Sequence, residues 1–288
     1  ANDLLKPERG EIFFTDKNNN LISVAGNKNF NIIFAVPSEV QKNAEKINLK
    51  KVAENISEIS GEPVDIIEKK LSKKNDLYEV LIQKASYDQV EKIQQLRDEI
   101  SLRGIYSEKQ KLRYYPAGSL ASHILGFVSP ANEKEIEDSK HQDIERGRYG
   151  LEQYFNSFLT GLFGEIKKDK IIDREDGKDL FLTIDRNIQS QAEEILKKLV
   201  NKWEAAGGSV IIQEPATGKI LAMANVPDFD PNNYSDFQIK NFLNPSISSL
   251  YEPGSVFKLI TMAAGIDSGK ITPNSVYIDR GYVVLNGK

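Results

Sequence analysis

Of all the lysines in this 288-residue chain, only Lys258 has a serine three residues before it, Ser255. A serine hydroxyl becomes a nucleophile once a base removes its proton, and a lysine amine does this when burial or neighbouring cations lower its pKa. Pro253-Gly254 marks a turn just before the pair, and the residues from Leu259 to Asp267 read as helical, with Gly269 as the C-terminal stop. Ser255 is therefore expected at a helix N-terminus, where free N–H groups and the positive end of the helix dipole favour a developing anion. Lys258 lies one turn further on along the same face. The pattern names Ser255 as candidate nucleophile and Lys258 as candidate base. Taken alone the spacing is weak, because a serine that caps a core helix beside a solvated lysine satisfies it equally well.

Composition narrows the chemistry. The chain carries 38 basic and 42 acidic residues, a net charge of −4, so it lacks the basic footprint of a nucleic-acid binder and no nucleic-acid partner is expected. Cysteine is absent, which removes a disulfide scaffold, a thiolate metal site and a cysteine nucleophile together. His123 and His141 are the only histidines, too few for a histidine-rich metal site and poor material for a Ser-His-Asp triad. No metal or cofactor is expected. No stretch approaches the roughly 18 consecutive apolar residues of a membrane span.

The elements around the pair follow from periodicity. Charged residues make up 58 of the first 178 positions but only 22 of the last 110, and the polar connector Asp173 to Lys178 precedes the apolar run Leu180-Phe181-Leu182. Two domains are expected, 1–178 and 179–288. In the first, Asn18-Asn19-Asn20 reads as a hairpin tip between Ile12-Phe13-Phe14 and Leu21 to Val24. Strand patterns at Phe30 to Val36, Tyr78 to Ile82 and Leu112 to Tyr115 alternate with charged amphipathic helices, so the class is α+β. Capping boxes at Ser38/Gln41 and Ser86/Gln89 predict helices through Ile56 and Ile100. In the second part, Asp185 is the expected N-cap of a helix whose apolar face runs Ile188, Ala192, Ile195, Leu196, Leu199, Val200 and Trp203. A β-hairpin, Ser209 to Gln213 with Lys219 to Ala224, is expected after it.

The run from Asn244 to Lys258, NPSISSLYEPGSVFK, resembles the acylation segment of penicillin-binding proteins, in which the S-x-x-K serine is the nucleophile. Further segments resemble the class B members of that family, in their order. These are Arg9-Gly10-Glu11-Ile12; Arg113-Tyr114-Tyr115-Pro116-Ala117-Gly118 through His123 to Gly126; Gly147 to Glu152 with Leu159 to Gly164; Leu182-Thr183-Ile184-Asp185 to Gln189; and Thr217 to Met223. The resemblance implies an elongated, non-catalytic pedestal of the dimerisation type, followed by an α/β-sandwich transpeptidase domain, here incomplete. It implies a peptidoglycan D,D-transpeptidase that acts on stem peptides and is acylated by β-lactam antibiotics. It also implies a cell-membrane protein with an extracytoplasmic domain, held by an anchor helix outside this chain and working beside a SEDS-type glycosyltransferase and other wall-synthesis proteins. Arg9, Arg113 and Glu152 are expected to pair as ions, and His123 to be structural.

Two other readings remain: a non-catalytic scaffold that binds wall-synthesis partners through the pedestal, and a serine β-lactamase-like sensor or hydrolase. The family's later motifs S-x-N and K-[TS]-G do not occur before Lys288. The sequence therefore predicts that this chain alone is catalytically incompetent, and that 180–288 is poorly ordered alone or packed against another copy or a remaining segment.

Overall fold

The Asn18–Asn20 turn closes as expected: the Asp16 carboxylate accepts hydrogen bonds from the Asn18 and Asn20 amides at 2.7 and 2.9 Å, and Asn19 takes the left-handed φ of 59° that asparagine tolerates. The structure is a computed structural model and describes residues 3–43, 48–73, 76–139, 145–167, 170–279 and 281–282; His141 lies outside them. The turn joins strand Ile12–Thr15 to the 15-residue strand Leu21–Ala35, whose second half pairs with Ile105–Tyr114 along one edge and Glu79–Ala85 along the other. Strand Leu180–Asp185 then adds in parallel to Ile12–Thr15. A late segment of the chain thus completes the sheet begun by the first residues.

Helices Leu49–Ser60, Val64–Leu71 and Tyr87–Glu99 lay their apolar faces on the sheet around Ile33, Ile56, Ile67, Leu71 and Ile105. A second core joins Ile12, Phe14 and Val24 to Leu125, Phe127 and Leu159, and also to Ile184, Phe229 and Phe242. Helix Arg186–Lys202 packs Ala192 and Leu196 against the hairpin Gly208–Gln213/Ile220–Val226, which forms in the predicted place. Asp185 caps that helix by accepting the Asn187 and Ile188 amides at 2.8 and 3.0 Å. The Ser86/Gln89 capping box forms in both directions.

Three expectations are corrected. The helix read from Ser38 through Ile56 is two: Pro37–Asn43, and Leu49–Ser60 capped by Asn48, whose extended backbone and side-chain bonds to the Lys50 and Lys51 amides start a new helix. Ser38 lies inside the first turn rather than capping it, and Gln41 donates instead to the Leu71 carbonyl. The third strand runs from Ile105, not Leu112, because its solvated stretch Ser107 to Lys111 hides it from a hydrophobic pattern. The helix face predicted to be apolar is split: Gln189 and Glu193 are buried with Ala192 and Leu196, whereas Ile195, Leu199 and Trp203 are exposed.

The chain divides into two compact units, Ala1–Ser246 and Ile247–Lys288. Phe229 is 1% exposed at the centre of the second core, with ring contacts to His123, Phe127, Phe237 and Phe242. Phe229→Ala is expected to cost about 3–5 kcal/mol. Urea unfolding followed by circular dichroism checks it, and hydrogen exchange should accelerate at Ile12 and Phe127 as well as at Phe242.

Candidate active site

In the second unit, Gly254 adopts φ 58°, and Gly254–Phe257 forms a 3₁₀ turn that runs directly into the helix Lys258–Asp267. A 3₁₀ turn has 3.0 residues per turn, so side chains at i and i+3 eclipse. Ser255 and Lys258 therefore project in line, and the Lys258 amide donates to the Ser255 carbonyl. The sequence predicts the serine at an α-helical start; the turn that holds it is tighter, a 3₁₀ turn. The helix ends as foreseen, with Gly269 at φ 69° donating to the Ile266 carbonyl. Between Ser255 Oγ and Lys258 Nζ there is no hydrogen bond among the described residues, and both side chains are exposed.

In the first unit, the three predicted ionic residues meet. Glu152 is fully buried, and its carboxylate accepts from Arg9 Nε at 2.8 Å and from Arg113 Nε at 2.7 Å. Arg9 adds Nη2 to the same carboxylate at 2.7 Å and to the Glu152 carbonyl at 3.0 Å, while its Nη1 bonds Asn156 and Thr160. Arg113 Nη1 reaches the Gly10 carbonyl at 2.8 Å, and the Tyr115 hydroxyl donates to Glu152 at 3.2 Å. Burial and the adjacent Glu152 charge hold the Tyr115 hydroxyl well above its ordinary pKa, so it stays a donor. Burial disfavours the Arg113 cation, but Glu152 outweighs it and keeps that pKa raised.

Two glycines of these segments are dictated by contact. A Cβ on Gly10 would sit 2.1 Å from the Lys178 carbonyl oxygen, and one on Gly147 would sit 1.8 Å from that of Glu152. His123 is buried, edge-on to Phe229 at 5.5 Å. Burial lowers its pKa, against the opposing pull of an Asn241 backbone hydrogen bond and Asp228. It is a packed structural residue, as expected. Among the described residues no group of three or more His, Asp or Glu is placed to hold a metal, and no helix is long and apolar enough to cross a membrane.

Residues 4–170 match the penicillin-binding protein dimerisation domain, and residues 208–288 match the penicillin-binding protein transpeptidase domain. This chain belongs to the class B penicillin-binding proteins. Stage V sporulation protein D of Bacillus subtilis is 30% identical over 98% of the chain and 42% of its own length. The probable peptidoglycan D,D-transpeptidase PenA of Neisseria meningitidis is 29% identical over 84% of the chain and 40% of its own. The chain thus spans about two fifths of the length of these relatives. Among solved structures, the penicillin-binding protein PBP2 of Helicobacter pylori, seen in complex with MreC, has a TM-score of 0.66 at 22% identity, over 97% of this chain and 56% of that one. The fold is therefore that of a penicillin-binding protein, and the Arg-Gly, Arg-x-Tyr-Pro and Gly-Leu-Glu segments of this family member converge on one carboxylate.

Glu152→Gln leaves two buried guanidiniums sharing one neutral amide, and is expected to lower stability by about 3–5 kcal/mol. Tyr115→Phe, which removes only a hydroxyl donor, is expected to cost about 1 kcal/mol. Urea titration of both variants checks the difference. A second expectation concerns acid. His123 has a depressed pKa in the folded state, so its contribution to stability is complete above the unfolded value near 6.5 and is lost as pH falls below it. Melting temperatures between pH 7.5 and 5 should fall less steeply for His123→Phe than for the parent.

Proposed function

We propose that the intact protein is a peptidoglycan D,D-transpeptidase in which Ser255 is the nucleophile and Lys258 its base. The observation that carries this reading is the single S-x-x-K pair, set on a 3₁₀ turn at a helix start within the segment that matches the transpeptidase domain. Lys258, as the neutral amine, takes the Ser255 proton while Oγ attacks the carbonyl of the penultimate D-Ala of a stem peptide. The bond to the terminal D-Ala breaks, that residue leaves as an amine carrying the transferred proton, and the acyl group rests on Ser255 as an ester. An amine of a neighbouring stem peptide then attacks the ester, returns the proton to serine through Lys258, and completes the crosslink. A β-lactam follows the first half of the path and stops at the ester.

The remaining assignments belong to the same proposal. Residues 1–178 serve as a pedestal and 179–288 begin the transpeptidase domain. The pedestal presents a face to wall-synthesis proteins, among them a SEDS-type glycosyltransferase, and the whole is held at the outer side of the cell membrane by an anchor helix. The Helicobacter pylori relative, seen with MreC, supports a protein-binding pedestal. The match of residues 4–170 to a dimerisation domain favours this over a β-lactamase-like sensor.

Fluorescent penicillin should label the full-length protein at Ser255. Labelling should vanish in Ser255→Ala and slow by about 10²- to 10⁴-fold in Lys258→Ala, the usual range for a lost general base. Labelling that survives Ser255→Ala would end the assignment.

A further inference from the structure

Among the described residues, the last buried one in the chain is Asn244, 8% exposed, just ahead of the segment that carries Ser255. Its side chain belongs to a small polar network. Asn225, 3% exposed on the strand Ile220–Val226, donates from Nδ2 to Asn244 Oδ1 at 3.1 Å. Asn225 Oδ1 accepts two hydroxyls, that of Ser209 on the other hairpin strand at 2.6 Å and that of Ser246 at 2.7 Å. Asn244 Oδ1 also accepts the Ser246 amide at 3.1 Å, within the short helix Pro245–Ser248, and Asn244 Nδ2 reaches the Met223 sulfur at 3.3 Å. Both buried carboxamides thus use their oxygen and their nitrogen, and a buried network satisfied in this way specifies one arrangement.

The network has a fixed base. Gln189, fully buried, accepts the Met223 amide at 2.8 Å and donates to the Met223 carbonyl at 3.0 Å, so the helix Arg186–Lys202 holds the same strand by its backbone. Beyond Ser246 the burial stops: every residue from Ile247 to Ala264 is exposed. The connection to the nucleophile is also short. Five residues, 249–253, separate the helix Pro245–Ser248 from the 3₁₀ turn Gly254–Phe257, a span of about 18 Å at most. The place and direction in which the chain leaves Asn244 therefore limit where Ser255 can stand.

We propose that Asn225 and Asn244 are positioning residues for the reaction at Ser255, acting by fixing the exit of the chain from the hairpin. The proposal rests on the acyl-transfer reading of Ser255. Neither asparagine touches the reacting atoms. The Ser209 and Ser246 hydroxyls hold the Asn225 carboxamide in the orientation that turns Nδ2 to Asn244, and Asn244 in turn sets the first turn of the helix Pro245–Ser248. Ordering that a nucleophile needs for attack is then present before the substrate arrives. A displacement of about 1 Å at a reacting atom can cost about 100-fold in rate, so loss of the network shows in the rate of acylation and not in non-covalent binding.

The test is the rate at which fluorescent penicillin acylates the full-length protein, measured over a range of penicillin concentrations and well below the melting temperature. Asn225→Leu and Asn244→Ala should each lower the saturating rate by about 10- to 100-fold and leave the half-saturating concentration near that of the parent. Asn244→Asp keeps both acceptor contacts, to Asn225 and to the Ser246 amide, and should recover most of the rate lost in Asn244→Ala. Ile56→Ala, in the first core, lowers stability without touching the network and should acylate at the parent rate. Where Asn225→Leu fails to fold, Ser246→Ala, which removes one hydroxyl from a half-buried residue, should slow acylation about threefold or more. Parent-like rates in the network variants that fold, an equal loss in Ile56→Ala, or no recovery in Asn244→Asp would overturn the proposal. Ser255→Ala separates the two readings: labelling that survives it removes the transpeptidase assignment and this proposal with it, whereas labelling that it abolishes, with the network variants unimpaired, removes the positioning role alone.

Discussion

One carboxylate, Glu152, holds two guanidiniums that the sequence keeps far apart: Arg9 is 143 residues before it and Arg113 is 39 before it. Removing three charges from water is expensive, and Coulomb attraction repays this only when the geometry is good and the remaining donors are satisfied. Here most are. Asn156, Thr160 and the Gly10 and Glu152 carbonyls take the outer guanidinium hydrogens, while Arg113 Nη2 has no partner among the described residues. The clasp fixes where the strand Ile12–Thr15 begins, where the strand Ile105–Tyr114 ends, and where the helical segment after Gly150 lies. It also explains two motif glycines, since the backbone passes too close for a Cβ at Gly10 and Gly147.

Further connections tie the later chain to that frame. Asn232 pairs with the Tyr115 backbone in both directions, its amide oxygen accepting at 3.0 Å and its amide nitrogen donating at 2.9 Å. Lys84, whose pKa is lowered by burial, donates to the Asn232 carbonyl. Glu193 holds the Ala121 amide at a residue with a left-handed φ of 56°, a conformation that a non-glycine residue keeps only when its surroundings fix it. With Phe229 and Phe242 in the same core as Ile12 and Phe14, the residues just beyond the hairpin belong to the unit built on the first strands.

The segment that carries Ser255 and Lys258 is organised differently. Its local geometry comes from the chain alone: Gly254 permits the turn, the 3₁₀ spacing aligns Ser255 with Lys258, and Gly269 closes the helix. Every side chain from Tyr251 to Ala264 is exposed, so this unit presents the pair without desolvating it. A lysine becomes a base through burial or neighbouring positive charge, and the short-range geometry supplies neither.

Patterns that depend on a few adjacent residues were legible in the sequence: the Asn turn, the Ser86 box, the Asp185 cap, the Ser209–Ala224 hairpin and the S-x-x-K turn each arise from local hydrogen bonding or backbone freedom. The pairing of Arg9, Arg113 and Glu152 was expected through the family resemblance, not through spacing. The break at Asn48 was missed because a side-chain cap competes with helix propagation at short range, and the early start of the strand at Ile105 because its solvated residues carry no hydrophobic alternation. Glu193 and Asn232 gave no signal at all. One sat on what read as an apolar helix face and the other in a loop, and each acquires its role only from atoms brought more than 70 residues through the chain. The sequence determined turns, caps and the candidate nucleophile because those are contacts between neighbours; burial and charge compensation were left to the tertiary structure, because they depend on which distant segments exclude water together.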